Sequence, residues 1–153
     1  MHLIINTPEG LILEENVEKV AVPTEELWEI CILKNHQPLI SVVKPWIIKI
    51  KPHENQREEF IKGTKFLFED EWIHISTGAW FIYVNENKIV ILTSVATTKI
   101  ETDQKVLEEM KIEMEKHIQE IRAKGSADEV DKAFLGLQKI TADLRLAKIK
   151  RRS

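Results

Sequence analysis

The sequence predicts an α+β fold in which an N-terminal antiparallel β-sandwich, residues 1–98, is followed by a C-terminal antiparallel two-helix hairpin, residues 99–153. Before residue 98, short apolar runs alternate with turn residues, which is typical of sandwiches and barrels. After it, apolar residues recur at steps of three and four, which is the period of amphipathic helices. A chain of 153 residues accommodates one domain of about 100 residues and such an appendage.

Each strand of the predicted sandwich is a short apolar run, and the runs are separated by turn residues such as Pro8, Pro23, Pro38 and Pro45. The runs cover residues 3–5, 11–13, 17–22, 30–33, 39–43, 46–51, 65–68, 72–76, 80–84 and 88–92. The polar segment 52–65, between the sixth and seventh runs, is compatible with a loop, an edge hairpin or a helical turn.

One of these runs also predicts how its sheet faces. Ile48 and Ile50 alternate with Lys49 and Lys51, so we expect the isoleucines in the core and the lysines in water. The alternation therefore predicts one wet sheet face.

Two helices are predicted after a boundary at residues 94–103. The apolar stripe of the first consists of Leu107, Met110, Met114, Ile118 and Ile121, and that of the second of Val130, Phe134, Leu137, Ile140, Leu144 and Ala147. Between them, Ser126 and Glu129 have the spacing of a capping box, in which the Ser126 hydroxyl accepts a hydrogen bond from the Glu129 amide. The short connection makes the helices antiparallel. Because the boundary lacks the composition of a free linker, we expect the hairpin to be docked on the sandwich.

Charge, cysteine content and hydropathy exclude several classes of protein. A formal net charge of -3 and a pI near 6.0 provide no global field for nucleic acid or an anionic membrane. The single cysteine, Cys31, forms no internal disulfide, so we expect a reducing compartment and a small buried apolar role for this side chain. No apolar run approaches the roughly 20 residues of a transmembrane helix, and strand-like sequence begins at Leu3. The sequence therefore predicts a soluble chain without a targeting peptide.

Signatures of catalysis and cofactor binding are missing from the sequence. The five glycines are too scattered for a phosphate-binding loop. The five histidines share no metal-ligand spacing, and we expect them to be solvated or on a sheet surface. We predict no catalytic residue, no metal site and no cofactor.

Two groups of residues are candidates for partner binding. The first combines a loop tryptophan, its neighbour and a polar turn: Trp28, Glu29, Asn35, His36, Pro38 and Leu39. Burial of Leu39 and Ile40 directly after the turn would make its presentation rigid, although a plain solvent turn is the alternative. The second group is the basic end of the second helix: Arg145, Lys148, Lys150, Arg151 and Arg152. Five cations exceed what the helix dipole uses, so we expect them to face an acidic partner.

The order and spacing of several segments form a pattern that covers nearly the whole chain. It consists of residues 3–10, 43–45, 81–84 and 87–92 and, most specifically, the turn Asn35-His36-Gln37-Pro38-Leu39-Ile40. This pattern resembles the ε subunit of F-type ATP synthases, which is itself similar to the mitochondrial δ subunit. The resemblance implies a flattened β-sandwich followed by a two-helix hairpin, the architecture already predicted from the periods.

The resemblance also implies a function, that of a non-catalytic rotor subunit in the central stalk. Its partners would be the γ subunit, the loops of the membrane c-ring and, through the C-terminal helices, the catalytic α and β subunits, whose ATP hydrolysis those helices can block. Nucleic acid is not among them. The subunit would lie on the cytoplasmic face of the inner (plasma) membrane as a peripheral part of the F1 sector.

One departure from the family's pattern concerns nucleotide binding. Some bacterial members of the family bind ATP through an Asp-x-x-Arg-Ala pattern, whereas here Asp103 is followed by Val106-Leu107. Without the arginine we expect no tight ATP site.

An alternative function is a β-sandwich binding or chaperone-like module whose helical hairpin grips client proteins. Co-purification with a γ subunit would favour the rotor subunit, and a lone protein that holds a small ligand would favour the module.

Overall fold

The computed structural model describes residues 1–24, 29–62 and 65–152 of the chain. Within these ranges the strands are β1 His2–Thr7, β2 Gly10–Val22, β3 Ile30–Ile32, β4 Leu39–Val43, β5 Trp46–Pro52, β6 Leu67–Glu69, β7 Trp72–Thr77, β8 Trp80–Asn85, β9 Lys88–Thr93 and β10 Ala96–Thr97. The helices are α1 Arg57–Lys62, α2 Gln104–Lys124 and α3 Ala127–Arg152, and a 3-10 turn, Glu54–Gln56, precedes α1. The predicted sandwich followed by a two-helix hairpin is confirmed.

Strand β2 connects the two sheets of the sandwich. Its residues 10–16 pair with β1, and its residues 17–22 pair with β5 and β3. The first sheet has the order β4-β8-β9-β1-β2, and the second has the order β2-β5-β7, with β3 on β2 and with β6 and β10 on β7. The runs 11–13 and 17–22 were predicted as separate strands, but Glu14 and Glu15 between them still pair with β1. The polar residues therefore do not interrupt the strand.

One strand pair departs from the predicted antiparallel arrangement. β1 and β9 run parallel, from His2 opposite Lys88 to Asn6 opposite Leu92. Parallel neighbours need a long connection, and the chain between β1 and β9 supplies one because it builds most of the second sheet. All other strand pairs in the described part of the chain are antiparallel.

The main core lies between the two sheets. It is filled by branched aliphatic side chains with almost no exposed surface, contributed by both sheets: Leu3, Ile5, Val17, Val20, Ile32, Ile48, Ile50, Ile73, Ile75, Ile82, Ile89 and Ile91. Burial of one such side chain stabilises the fold by about 1.5–3 kcal/mol. The prediction that Ile48 and Ile50 face the core is confirmed.

The polar segment 52–65 contains a helical turn, one of its three predicted alternatives. Phe60 of α1 packs on the main core and meets Phe66 edge to face, with the ring centroids 5.9 Å apart. The Arg57 guanidinium donates a hydrogen bond to the Asp70 carbonyl at 2.5 Å. These contacts attach the segment to the second sheet.

Both hairpin helices begin at a side-chain cap. The Lys105 amide donates to the Asp103 carboxylate at 2.9 Å at the start of α2. At the start of α3, the Glu129 amide donates to the Ser126 hydroxyl at 3.2 Å, which confirms this part of the predicted capping box. Each such cap stabilises its helix by about 1 kcal/mol.

Helix α3 is buried on more than the one stripe that the sequence predicts. Its buried residues are Ala133, Ile140, Ala142, Leu144, Leu146, Ala147 and Ile149. They surround the helix because α3 packs against α2 and also against β5, β6 and β7. Phe134 was expected in the stripe but is exposed, with the Arg122 guanidinium 5.4 Å from its ring centroid. Met110 of α2 is likewise exposed.

Three other side chains have surroundings that the sequence of their own strand does not specify. The predicted burial of Cys31 is wrong: its side chain is exposed, because β3 is a three-residue edge strand whose partner within the described chain is β2. His74 lies on a sheet surface, one of its two predicted locations, but it is buried there because α3 covers the outer surface of β7. Ile47 is also buried beneath the hairpin, with Leu67, Ile100 and Leu107, so that face of the second sheet is only partly wet.

Candidate functional site

The predicted turn lies between β3 and β4, where Asn35 adopts a left-handed conformation with a φ of 65°. The His36 amide donates to the Leu33 carbonyl at 3.0 Å, and the His36 Nδ1 lies 2.8 Å from the Gln37 carbonyl. Asn35 and Pro38 are exposed, and His36 is half-buried. Local hydrogen bonds therefore order the turn while its polar side chains remain accessible.

The expected burial of Leu39 and Ile40 is only partly right. Leu39 is half-buried and packs on the main core, whereas the Ile40 side chain is 66% exposed. Successive side chains of a strand point to opposite faces, so one of the two must leave the core. Ile40 is instead the first residue of an exposed apolar surface.

Glu29 and the turn lie at opposite ends of the three-residue strand β3. The Glu29 carboxylate forms an ion pair with Lys49 at 2.7 Å. Glu29 thereby belongs to the side of the molecule that faces the hairpin. Trp28, the neighbour predicted to act with it, lies outside the described residues.

The first sheet carries a largely exposed apolar surface that is not among the candidate sites predicted from the sequence. We call it the outer face, and it consists of the exposed Leu11, Ile40, Val42, Phe81, Tyr83 and Leu92 together with the half-buried Ile4 and Val90. Strand register places Ile40, Tyr83, Val90 and Ile4 in one row across four strands. A second row contains Val42, Phe81, Leu92, Asn6 and Leu11.

The exposure of this surface is unusual for such large apolar side chains. Val42 is 76% exposed, Leu11 54% and Leu92 48%, and the aromatic pair Phe81 and Tyr83 are each 36% exposed. Contiguous apolar surface on a soluble chain marks an interaction site more often than single exposed apolar residues do. A signal for it existed in the sequence, because the strands at 80–84 and 88–92 are apolar at both alternating positions, which indicates that both faces are covered.

Some of the cations at the basic end of α3 contact other parts of the same molecule. The Arg145 guanidinium lies 5.4 Å from the Trp46 ring centroid, and the Lys150 Nζ donates to the Ile100 carbonyl at 2.8 Å. Lys148 is exposed. Arg151 and Arg152 continue the helix, but their side chains lie outside the described part of the structure. Two of the five predicted cations, Arg145 and Lys150, therefore have partners within the molecule while α3 is docked.

A cleft of about 530 Å³ lies between the C-terminal half of α3 and the second sheet. Its lining is mostly charged and aromatic: Glu29, Trp46, Ile47, Lys49, Glu69, His74, Lys111, Thr141, Leu144, Arg145, Lys148 and Ile149. Burial lowers the pKa of His74, and the nearby Glu69 carboxylate opposes that shift only in part. Burial likewise lowers the pKa of Lys139 at the same interface, although Asp143 pairs with it.

Within residues 1–24, 29–62 and 65–152, no three His, Cys, Asp or Glu side chains are grouped so that they could hold a metal ion. No helix in the same ranges is long and apolar enough to cross a membrane. The features of the described chain that suggest binding are thus the outer face, the adjoining turn at residues 34–38 and the cleft under α3.

Comparison with known proteins gives one consistent family. Residues 1–77 match the family described as "ATP synthase, Delta/Epsilon chain, beta-sandwich domain". The ATP synthase epsilon chain of Herpetosiphon aurantiacus is 28% identical over 152 residues, which cover 99% of this chain and 96% of that one. The epsilon chain of Nitratiruptor sp. is 31% identical over 117 residues, covering 73% of this chain and 78% of that one.

A solved structure has the same fold. It is a chain of the Euglena gracilis mitochondrial ATP synthase, OSCP/F1/c-ring in rotational state 1, with a TM-score of 0.66 and 18% identity. The alignment covers 92% of this chain and 76% of that chain.

Proposed function

Because the chain belongs to the family of ATP synthase delta and epsilon chains, we propose that it is the non-catalytic ε subunit of an F-type ATP synthase. In this role it is a rotor subunit of the central stalk that joins the γ subunit to the c-ring. It acts at the cytoplasmic side of the membrane as part of the F1 sector. Membership of this family argues against the alternative function, a chaperone-like module that grips client proteins.

The observation that carries this proposal is the outer face. A subunit that rotates with γ needs a contact that persists through every turn, and such interfaces have apolar centres. The outer face supplies eight apolar side chains on one side of the first sheet. We assign γ to this face.

The turn at residues 34–38 is the second contact in this proposal. It precedes β4, the edge strand that contributes Ile40 and Val42 to the outer face, so the two surfaces are continuous. The turn is polar and ordered by its own hydrogen bonds, which suits the polar loops of a c-ring. Asn35, His36 and Pro38 are the residues we assign to that contact.

The basic end of α3 is the third contact, with the catalytic α and β subunits. When α3 is docked, the Arg145 guanidinium lies over the Trp46 ring and Lys150 donates a hydrogen bond to the Ile100 carbonyl. Release of α3 would free both cations together with Lys148, and an acidic surface on the catalytic ring would then bind them. This contact would restrain ATP hydrolysis.

The assignment of γ is tested by adding charge to the outer face. We expect Ile40→Glu with Val42→Glu to weaken binding to purified γ by about tenfold or more, because two carboxylates would be buried without partners. Both native side chains are exposed, at 66% and 76%, so the thermal midpoint of the free subunit should change little. Titration calorimetry gives the affinity and circular dichroism the midpoint.

The matched control is Val106→Glu with Met110→Glu, two exposed apolar residues of α2. This variant adds the same charge away from the sandwich and should bind γ like the original chain. Equal γ affinity of the Ile40/Val42 variant and the original chain would contradict the assignment.

A further inference from the structure

His74 occupies a position that couples the sandwich to the hairpin. It lies on the outer surface of β7, between Lys49 of β5 and Leu67 of β6 in the strand register. Helix α3 covers this surface, and the His74 side chain is only 5% exposed. Movement of α3 away from β7 would therefore expose the imidazole to water.

The surroundings of His74 favour the neutral imidazole. Its Nδ1 atom has no hydrogen-bond partner among the described protein groups, and its Nε2 lies 3.8 Å from a Glu69 carboxylate oxygen. A second buried polar atom, Ser76 Oγ, is also without a partner two residues along the same strand. The docked interface thus offers a protonated imidazole one distant carboxylate and no close acceptor at Nδ1.

Charged groups approach His74 from every neighbouring element. Those that act on it or line the same cleft are Lys49 of β5, Glu69 and Asp70 at the end of β6, Arg145 and Lys148 of α3, Lys111 of α2 and Glu29 before β3. Lys49 and Arg145 disfavour the imidazolium, whereas Glu69 and Asp70 favour it. Loss of solvation is the largest effect, and it outweighs the two acids.

We propose that His74 makes the docking of α3 on the sandwich sensitive to pH, so that protonation of its imidazole releases the helix. The proton can be accommodated once α3 has left, because the ring is then solvated and Arg145 has moved away with the helix. The response belongs to the free subunit and does not require any partner.

The direction and size of the response follow from linkage. The docked state lowers the pKa of His74 from its ordinary value of 6.5, so this group contributes docking stability above that pH. The contribution is lost as the pH falls through the lowered value. The docking constant should decrease by at most about tenfold for each pH unit below about 6.5, and therefore by at most about tenfold between about pH 7.5 and about pH 5.5.

Hydrogen exchange of the full chain tests the proposal. Exchange rates of the backbone amides at residues 140–150, corrected for their intrinsic pH dependence, report the release of α3. We expect protection there to fall between about pH 7.5 and about pH 5.5, by at most about tenfold, while the core strands β1 and β9 keep theirs. In His74→Leu and His74→Gln the difference between the two pH values should disappear. The control His117→Gln, at an exposed histidine of α2, should retain it.

A titration of the original chain by NMR decides the question even if the His74 variants fold poorly. A His74 resonance that titrates well below the ordinary histidine pKa of 6.5 supports the proposal. A His74 that titrates at that ordinary value would overturn it. So would protection at residues 140–150 that does not change with pH, or a pH dependence that persists in both His74 variants.

Discussion

At the scale of single residues, a few polar side chains determine how firmly the hairpin is held. The Lys139 Nζ donates to the Thr97 hydroxyl at 2.9 Å and pairs with Asp143 one turn further along α3. Both charged side chains are largely buried, at 14% and 18% exposure. Thr97 belongs to β10, which pairs with the edge of β7. This buried ion pair therefore links α3 to the second sheet.

Removal of one charge from this pair should be costly. We expect Asp143→Asn to lower the free energy of unfolding by about 1–3 kcal/mol, because Lys139 would stay buried without its counter-charge. The matched control is Asp128→Asn, whose partner Lys132 and own side chain are 75% and 77% exposed. That substitution should cost less than about 0.5 kcal/mol. Urea denaturation measures the free energy of unfolding of both variants. Equal decreases would show that the Lys139–Asp143 pair stabilises the fold no more than the exposed Lys132–Asp128 pair does.

At the scale of elements, the two helices differ in what they touch. Helix α2 buries only Leu107 and Ile118 among its described side chains, whereas α3 is buried on several sides. Helix α3 is thus the element that connects the sandwich to the rest of the hairpin. Gly136 lies where the two helices approach, since a Cβ built on it would be 3.3 Å from the Met114 methyl group.

Substitution of Gly136 tests how tightly the helices pack. A flexible methionine end can shift by a few tenths of an ångström, and alanine favours a helix over glycine by about 1 kcal/mol. We therefore expect Gly136→Ala to stabilise the chain by up to about 1 kcal/mol. Destabilisation by this substitution in urea denaturation would show that Met114 cannot move to make room for the added methyl group.

Gly78→Ala is the contrasting control. A Cβ on Gly78 would lie 2.3 Å from the Ser94 hydroxyl and 2.8 Å from Val95, so this substitution should destabilise the chain.

The basic end of α3 gives a prediction about regulation. Deletion of residues 145–153 would remove the buried Leu146 and Ile149 as well as the cations, so substitution is the cleaner test. We expect glutamine at Arg145, Lys148 and Lys150 to raise ATP hydrolysis by the assembled complex, with an effect that decreases at high salt. Unchanged hydrolysis by this variant would show that these cations do not restrain the complex.

The helix and strand periods predict most elements, because the pattern of apolar side chains within one element is a local property. Helices α2 and α3, the cap at Ser126 and most of the strand runs are therefore where the sequence places them. What one element packs against is not local. The burial of His74 and the exposure of Phe134 depend on where α3 lies, and no period within β7 or α3 specifies that.

At the scale of the whole molecule, the two sheets have different surroundings. The second sheet is covered by α3 on its outer surface, whereas the outer face of the first sheet has no cover in the described chain. Apolar runs at 80–84 and 88–92 predict two covered faces in each strand but do not say whether the cover is intramolecular. The candidate turn at residues 34–38 was predicted from the sequence, and its continuity with the outer face required the strand order. We propose that γ supplies the missing cover.

The chain has one tyrosine, Tyr83, and its side chain lies in the middle of the outer face. Hydroxyl-radical footprinting of the free subunit and of the subunit assembled with γ therefore tests this central claim directly, with Phe134 on the exposed surface of α3 as the internal reference. We predict that assembly lowers the oxidation rate of Tyr83 and Phe81 several-fold and leaves that of Phe134 unchanged. Oxidation of Tyr83 at the same rate in the free and assembled subunit would contradict the assignment of γ to the outer face.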